Sequence, residues 1–162
     1  MKTLLYGGRV IDPKHRLDSQ LNLLLEDGKV AWLGREHPRA DREIDVTGKI
    51  VTPGFVDIHM HEDPVVNGAI APSIFPMMLH MGVTTAVGGN CGINVDDPVQ
   101  YLDRVDRDGA AVNVALFAGH EYFRKAAGAA DIYAGSTDSQ LDTMSDGLEK
   151  ALAAGCVGVS FG

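Results

Sequence analysis

At 162 residues, with 45% hydrophobic and 22% charged positions, the chain has the length and composition of one ordinary globular domain. A net charge of −8 without a basic stripe argues against nucleic acid as a partner, and no run of about 18 apolar residues offers a membrane span. Two cysteines, Cys91 and Cys156, are too few for a disulfide scaffold, so a cytoplasmic location is the default expectation.

In chain order, the first fifty residues read as short strands and tight turns. Gly7-Gly8-Arg9 cuts the apolar start too early for a signal-peptide core. Thr3 to Ile11 is extended and ends at the Asp12-Pro13 turn signal. Leu21 to Glu26 and Lys29 to Leu33 flank Asp27-Gly28, a dipeptide favoured by type I′ hairpins. Glu43 to Val46 and Lys49 to Thr52, around Thr47-Gly48, suggest another pair. Residues 1–52 therefore form a small β-sheet segment, thin as a unit of its own.

From Pro53 the pattern becomes strand, helix, strand. Phe55 to His61 is a strand, and Pro72 to Met81 a helix stopped by Gly82. Its methionines, Met77, Met78 and Met81, read as core contacts. Val83 to Val87 is a β-branched strand running into Gly88-Gly-Asn-Cys-Gly92. Asp97-Pro98 supplies an N-cap with proline at the first helical position, starting a helix to about Asp108. Val112 to Ala118 is a strand closed by Gly119-His120, Ser139 to Ala154 a helix, and Val157 to Phe161 a fourth strand. Repeated strand–helix units imply an α/β fold with a parallel sheet and right-handed crossovers. A full eight-stranded barrel needs about 250 residues, so residues 53–162 read as its first half, cut off after about four strands. A small open-sheet domain is the alternative.

The chemistry concentrates at His59-Met-His61. Side chains alternate along a strand, so Phe55, Asp57, His59 and His61 share one face, while Val56, Ile58 and Met60 face the other, where helices would cover them. Two imidazoles at a strand's end suit a divalent metal, and the C-terminal end of a barrel strand is where such folds build sites. Asp57 reads either as a carboxylate orienting an imidazole or as a buried structural acceptor, and acidic Glu62 and Asp63 follow directly.

The small β start followed by Ile50-Val-Thr-Pro-Gly-Phe-Val-Asp-Ile-His-Met-His61 resembles the amidohydrolase superfamily. Gly82-Val-Thr-Thr-Ala-Val-Gly-Gly-Asn-Cys-Gly92 is similar to the second strand of its N-acyl-D-amino-acid deacylases. That resemblance implies the N-terminal part of a (β/α)8 TIM-like barrel after a small β-sandwich segment, with His59, His61 and Cys91 as ligands to one or two Zn²⁺. It implies hydrolysis of a non-peptide amide in a small N-acyl amino acid or related molecule. The remaining half of the barrel is then a required partner, in the same or a cleaved chain, and self-association stays open. Two more histidines and a proton-shuttling aspartate belong to later strands, so no catalytic residue is expected within 1–162. Gly155-Cys-Val-Gly-Val-Ser-Phe-Gly162 lacks the strand-four lysine of many binuclear amidohydrolases, which counts against a dihydroorotase- or hydantoinase-like cyclic-amide hydrolase. A non-catalytic amidohydrolase-like protein is the rival from another class. Asn113 to His120, with Arg124 beyond, resembles the deacylases' third strand more weakly, because Glu121-Tyr-Phe123 intervenes. His120 and Arg124 are thus candidates for substrate contact, with Asp57 and Asp63 alongside. Cys156 reads as structural, and Ser160 near the strand end reads either as lining the site or, preferably, as a satisfied barrel serine.

Overall fold

Strand formation begins at the second residue. The computed structural model describes residues 1–162, in which β1 (Lys2–Tyr6) and β2 (Arg9–Asp12) are separate strands. The expected single run from Thr3 to Ile11 breaks at Gly7, and its halves join different sheets. β3 (Leu17–Gln20) is a strand the sequence does not announce, and β4 (Asn22–Glu26) and β5 (Lys29–Gly34) form the expected hairpin. Asp27 and Gly28 both take positive φ, 49° and 75°, as a type I′ turn requires. β6 (Arg42–Asp45) and β7 (Ile50–Val51) do not pair with each other. β6 lies parallel to β1 and β7 parallel to β2, giving sheets in the orders β5-β4-β1-β6 and β3-β2-β7. Side chains of both sheets, including Leu5, Val10, Leu23, Leu25 and Val51, line one apolar cavity of about 590 Å³. These residues belong to a compact unit, Met1–Pro53.

The second unit, Gly54–Gly162, is α/β. β8 (Phe55–Asp57) is followed by a small hairpin of β9 (Val65–Val66) and β10 (Ala69–Ile70), absent from the sequence reading, and by α1 (Ile74–His80). Then come β11 (Val83–Gly88), α2 (Pro98–Asp108), β12 (Asn113–Gly119), α3 (His120–Ala126), α4 (Asp138–Ala153) and β13 (Gly158–Ser160). The four larger-sheet strands run parallel in the order β13-β12-β11-β8, a curled sheet in which chain neighbours are also sheet neighbours.

The helix limits follow from local chemistry where a cap is local. Asp97 accepts from the Gln100 amide at 3.0 Å with Pro98 at the first helical position, and Thr137 and Gln140 form a capping box at the start of α4. One core joins the helices to the sheet: Phe75 and Met78 of α1, Tyr101 of α2, Leu116 of β12, and Met144 and Ala151 of α4. Met77 and Met81, expected in the core with Met78, are exposed instead.

Candidate metal centre

The expected strand from Phe55 to His61 stops at Asp57. The Asp57 carboxylate accepts a hydrogen bond from the His59 amide at 3.0 Å, a side-chain turn that replaces the strand ladder at that point. Asp57 therefore shapes the backbone that carries His59. Beyond it the two-residue alternation no longer holds. Met60 is buried in the core, whereas Val56 and Ile58, expected beneath helices, are exposed. The His59 and His61 rings lie 6.4 Å apart, nearly perpendicular at 82°. The Met60 amide donates to the Val87 carbonyl at 3.4 Å, fastening this segment to β11.

The Asn90–Gly92 turn follows β11. Gly89, Cys91 and Gly92 all have positive φ, at 71°, 56° and 74°. At Gly89 a side chain is excluded twice, by that conformation and because a Cβ would overlap the Phe117 carbonyl oxygen. Cys91 adopts the left-handed region without being glycine, which costs of order 1–2 kcal/mol and persists only where neighbours hold it. Asn90 is one such neighbour: buried, it donates to the carbonyls of Val87 at 2.8 Å and Met60 at 3.3 Å. The turn is thereby tied to the histidine segment.

The result brings the exposed Cys91 Sγ to 3.4 Å from His59 Nε2. A thiolate at about 2.3 Å and an imidazole at about 2.0–2.1 Å from a tetrahedral zinc would stand about 3.5 Å from each other. The donor pair therefore fits zinc in both chemistry and spacing. His61 sits beside the pair, and no group of three or more His, Cys, Asp or Glu side chains converges tightly enough to enclose an ion. Of the three ligands expected from the sequence, the structure brings two into ligating distance of each other.

The remaining candidates fall elsewhere. Asp63 is fully buried and its carboxylate is occupied: it accepts from the Ser73 hydroxyl and from the amides of Ile74 at 2.6 Å and Phe75 at 3.0 Å. It caps α1 and has no free oxygen face for substrate, which corrects the expectation of a substrate role. His120 is not in a loop but opens α3, with its ring 5.1 Å from that of Phe161. Arg124 Nη2 donates to the carbonyls of Asp131 at 2.6 Å and Ala134 at 2.7 Å, anchoring the segment that leads to α4, while its buried Nε has no partner. Cys156 is buried, and burial pushes its thiol up, aided by the Asp97 and Glu62 carboxylates.

Two polar residues, Asn94 and Glu62, hold the strand ends together. Asn94 donates to Glu62 Oε1 and to the Phe117 carbonyl, each at 3.0 Å, and accepts from the Gly119 amide at 2.7 Å. Glu62 is 3% exposed, and its Oε2 has no partner. Their signal is three-dimensional, since Glu62 and Asn94 are 32 residues apart.

No family model matches the chain. Among curated proteins it is 32% identical, over 98% of its length, to a D-aminoacylase of Alcaligenes xylosoxydans xylosoxydans. A dihydroorotase of Syntrophotalea carbinolica is 46% identical, but over only 40% of the chain. Among solved structures, a D-aminoacylase described as defining a novel subset of amidohydrolases superposes with a TM-score of 0.86 at 30% identity, covering 99% of the chain. An N-acyl-D-glutamate deacylase from Bordetella bronchiseptica, complexed with zinc and a phosphonate inhibitor, gives 0.81 at 31% over the same 99%. The chain spans 37% of the D-aminoacylase relative and 38% of each of these structures. Along nearly its whole length, in sequence and in fold, the chain is similar to D-aminoacylase-like amidohydrolases.

Proposed function

We propose that the protein containing this chain is a zinc-dependent amidohydrolase that removes the acyl group from an N-acyl-D-amino acid. The observation that carries this reading is the His59 Nε2–Cys91 Sγ approach at 3.4 Å, built by a strained turn within a fold shared with a zinc-complexed deacylase. His59 and His61 would bind one or two Zn²⁺ as neutral imidazoles and Cys91 as a thiolate. Bound zinc supplies polarisation of the amide carbonyl and a water whose pKa falls to about 7. The chain's own contribution is to fix the imidazoles and the thiol in place before substrate arrives, through Asp57, Asn90 and Asn94. The remaining strands of a (β/α)8 barrel, further ligands and the proton-transferring aspartate belong to this proposal as elements outside residues 1–162, as does a sandwich-like role for the two N-terminal sheets. A cytoplasmic setting is part of it too, in keeping with two free thiols.

The test is metal analysis and turnover on the complete polypeptide. Wild type is expected to carry about one or two zinc ions and Cys91→Ala about one fewer, with hydrolysis of N-acetyl-D-amino acids and none of their L-isomers. Unchanged zinc in Cys91→Ala would remove the cysteine from the site. Ring opening of dihydroorotate in place of deacylation would favour the cyclic-amide reading, which the absence of lysine from β13 opposes.

A further inference from the structure

Ser160 is the last residue of β13, and its backbone pairs with Gly119 in the sheet without help from its side chain. The side chain instead grips the cysteine turn at two points. Its hydroxyl donates to the Gly89 carbonyl oxygen and accepts from the Gly92 amide at 3.0 Å. Those groups flank Asn90 and Cys91, so one hydroxyl closes the turn around the residue with left-handed backbone. One donor and one acceptor use the directional capacity of a serine hydroxyl well. Gly162, two residues on, lies so close to the Cys91 carbonyl oxygen that a Cβ there would overlap it. The end of the fourth strand is thus moulded onto the turn.

We infer that Ser160 is a positioning residue for the Cys91 thiolate. By bracketing the turn it holds Sγ beside His59 Nε2, and so sets how tightly the site binds metal. This rests on the reading of His59, His61 and Cys91 as metal ligands. A serine that merely satisfied itself in the sheet would not bond both ends of a turn 68 and 71 residues away.

The experiment uses the complete polypeptide loaded with Co²⁺, whose thiolate-to-cobalt charge-transfer absorption reports sulfur ligation directly. Ser160→Ala is expected to lose most of that band and to bind Co²⁺ about 10–100-fold more weakly, while its near-ultraviolet circular dichroism stays that of wild type. Ser160→Thr, which keeps the hydroxyl, is expected to restore both. A wild-type band and affinity in Ser160→Ala overturn the inference, as does equal loss in the folded Ala and Thr proteins. Cys91→Ser separates the two claims. If it removes the band while Ser160→Ala keeps it, the metal site stands and the positioning role falls. If wild type has no thiolate band and Cys91→Ser binds Co²⁺ equally well, both fall. Should Ser160→Ala not fold, Ser160→Thr decides: a retained band supports the role and a lost band overturns it.

Discussion

Asn94 ties three strand-end groups together with one side chain. Through it the carboxylate after the histidine pair is joined to the end of β12. Asn94→Ala would leave Glu62 buried with neither oxygen bonded. Loss of a bond to a buried charged or polar group costs about 1–3 kcal/mol or more, so this variant should be less stable by about 3 kcal/mol in urea denaturation. Asn94→Asp should be worse still, setting a second carboxyl against Glu62. The two thiols give a sharper contrast. Cys91 is exposed, while Cys156 is buried and its thiol is raised by that burial. Alkylation of the native metal-free protein near pH 7.5 should modify Cys91 and spare Cys156, because the thiolate is the reactive form. Mass spectrometry after proteolysis reads the site, and equal labelling would refute the burial argument. At this scale the sequence exposes residue types suited to metal, since His59, His61 and Cys91 stand in local motifs. It hides Asn94, Glu62 and the double grip of Ser160, whose roles arise only when distant strand ends meet.

At the level of elements, what can be read depends on whether the stabilising group is local. α2 and α4 carry their caps beside them, in Asp97-Pro98 and Thr137 with Gln140, and their expected limits nearly coincide with those observed. α3 starts at His120 after a glycine with no side-chain cap, so nothing in the sequence announces it. β6 and β7 are close in sequence but join different sheets, because their partners β1 and β2 diverge at Gly7. α1 is the intermediate case: Ser73 at its N-cap makes no capping bond, and Asp63, ten residues earlier, serves in its place. Asp63→Ala should cost about 3 kcal/mol, more than an ordinary cap, since several amide and hydroxyl donors lose their acceptor in the interior. Tyr101 of α2 completes this corner by donating to the Asp63 carbonyl at 2.9 Å. Burial, with the Glu62 and Asp63 charges, pushes its phenol well above the usual 10. An acid held neutral by the fold stabilises fully below its unfolded pKa of about 10 and loses that contribution as pH rises further. Tyr101→Phe should therefore be about 1 kcal/mol less stable at pH 7, yet lose less stability than wild type between about pH 9 and 11. Parallel alkaline slopes in urea titrations of the two proteins would contradict this.

For the whole molecule, the parallel sheet sets the decisive constraint. Parallel sheets occur with both faces covered, because crossover helices and neighbouring strands bury them. Here β8 and β13 are edges, each paired on one side only. Around them Phe55, Val56, Ile58, Val157 and Phe161 are all more than half exposed, from 57% to 70%. Exposed apolar residues grouped at open strand edges are an invitation to pair with another chain. Residues 1–162 produced by themselves should therefore self-associate. Sedimentation velocity should show mass rising with concentration, and thermal unfolding should be broad. Replacing Val56 and Ile58 with lysine puts charge on the β8 edge without touching the buried core, and should shift the population back towards monomer. The complete polypeptide, in which the proposed remaining strands would cover both edges, should not respond to concentration in this way. A monomeric 1–162 chain with a sharp, concentration-independent melt would mean that the sheet is self-sufficient. The proposal that further strands complete it would then fail on stability grounds, whatever the metal content of the longer protein.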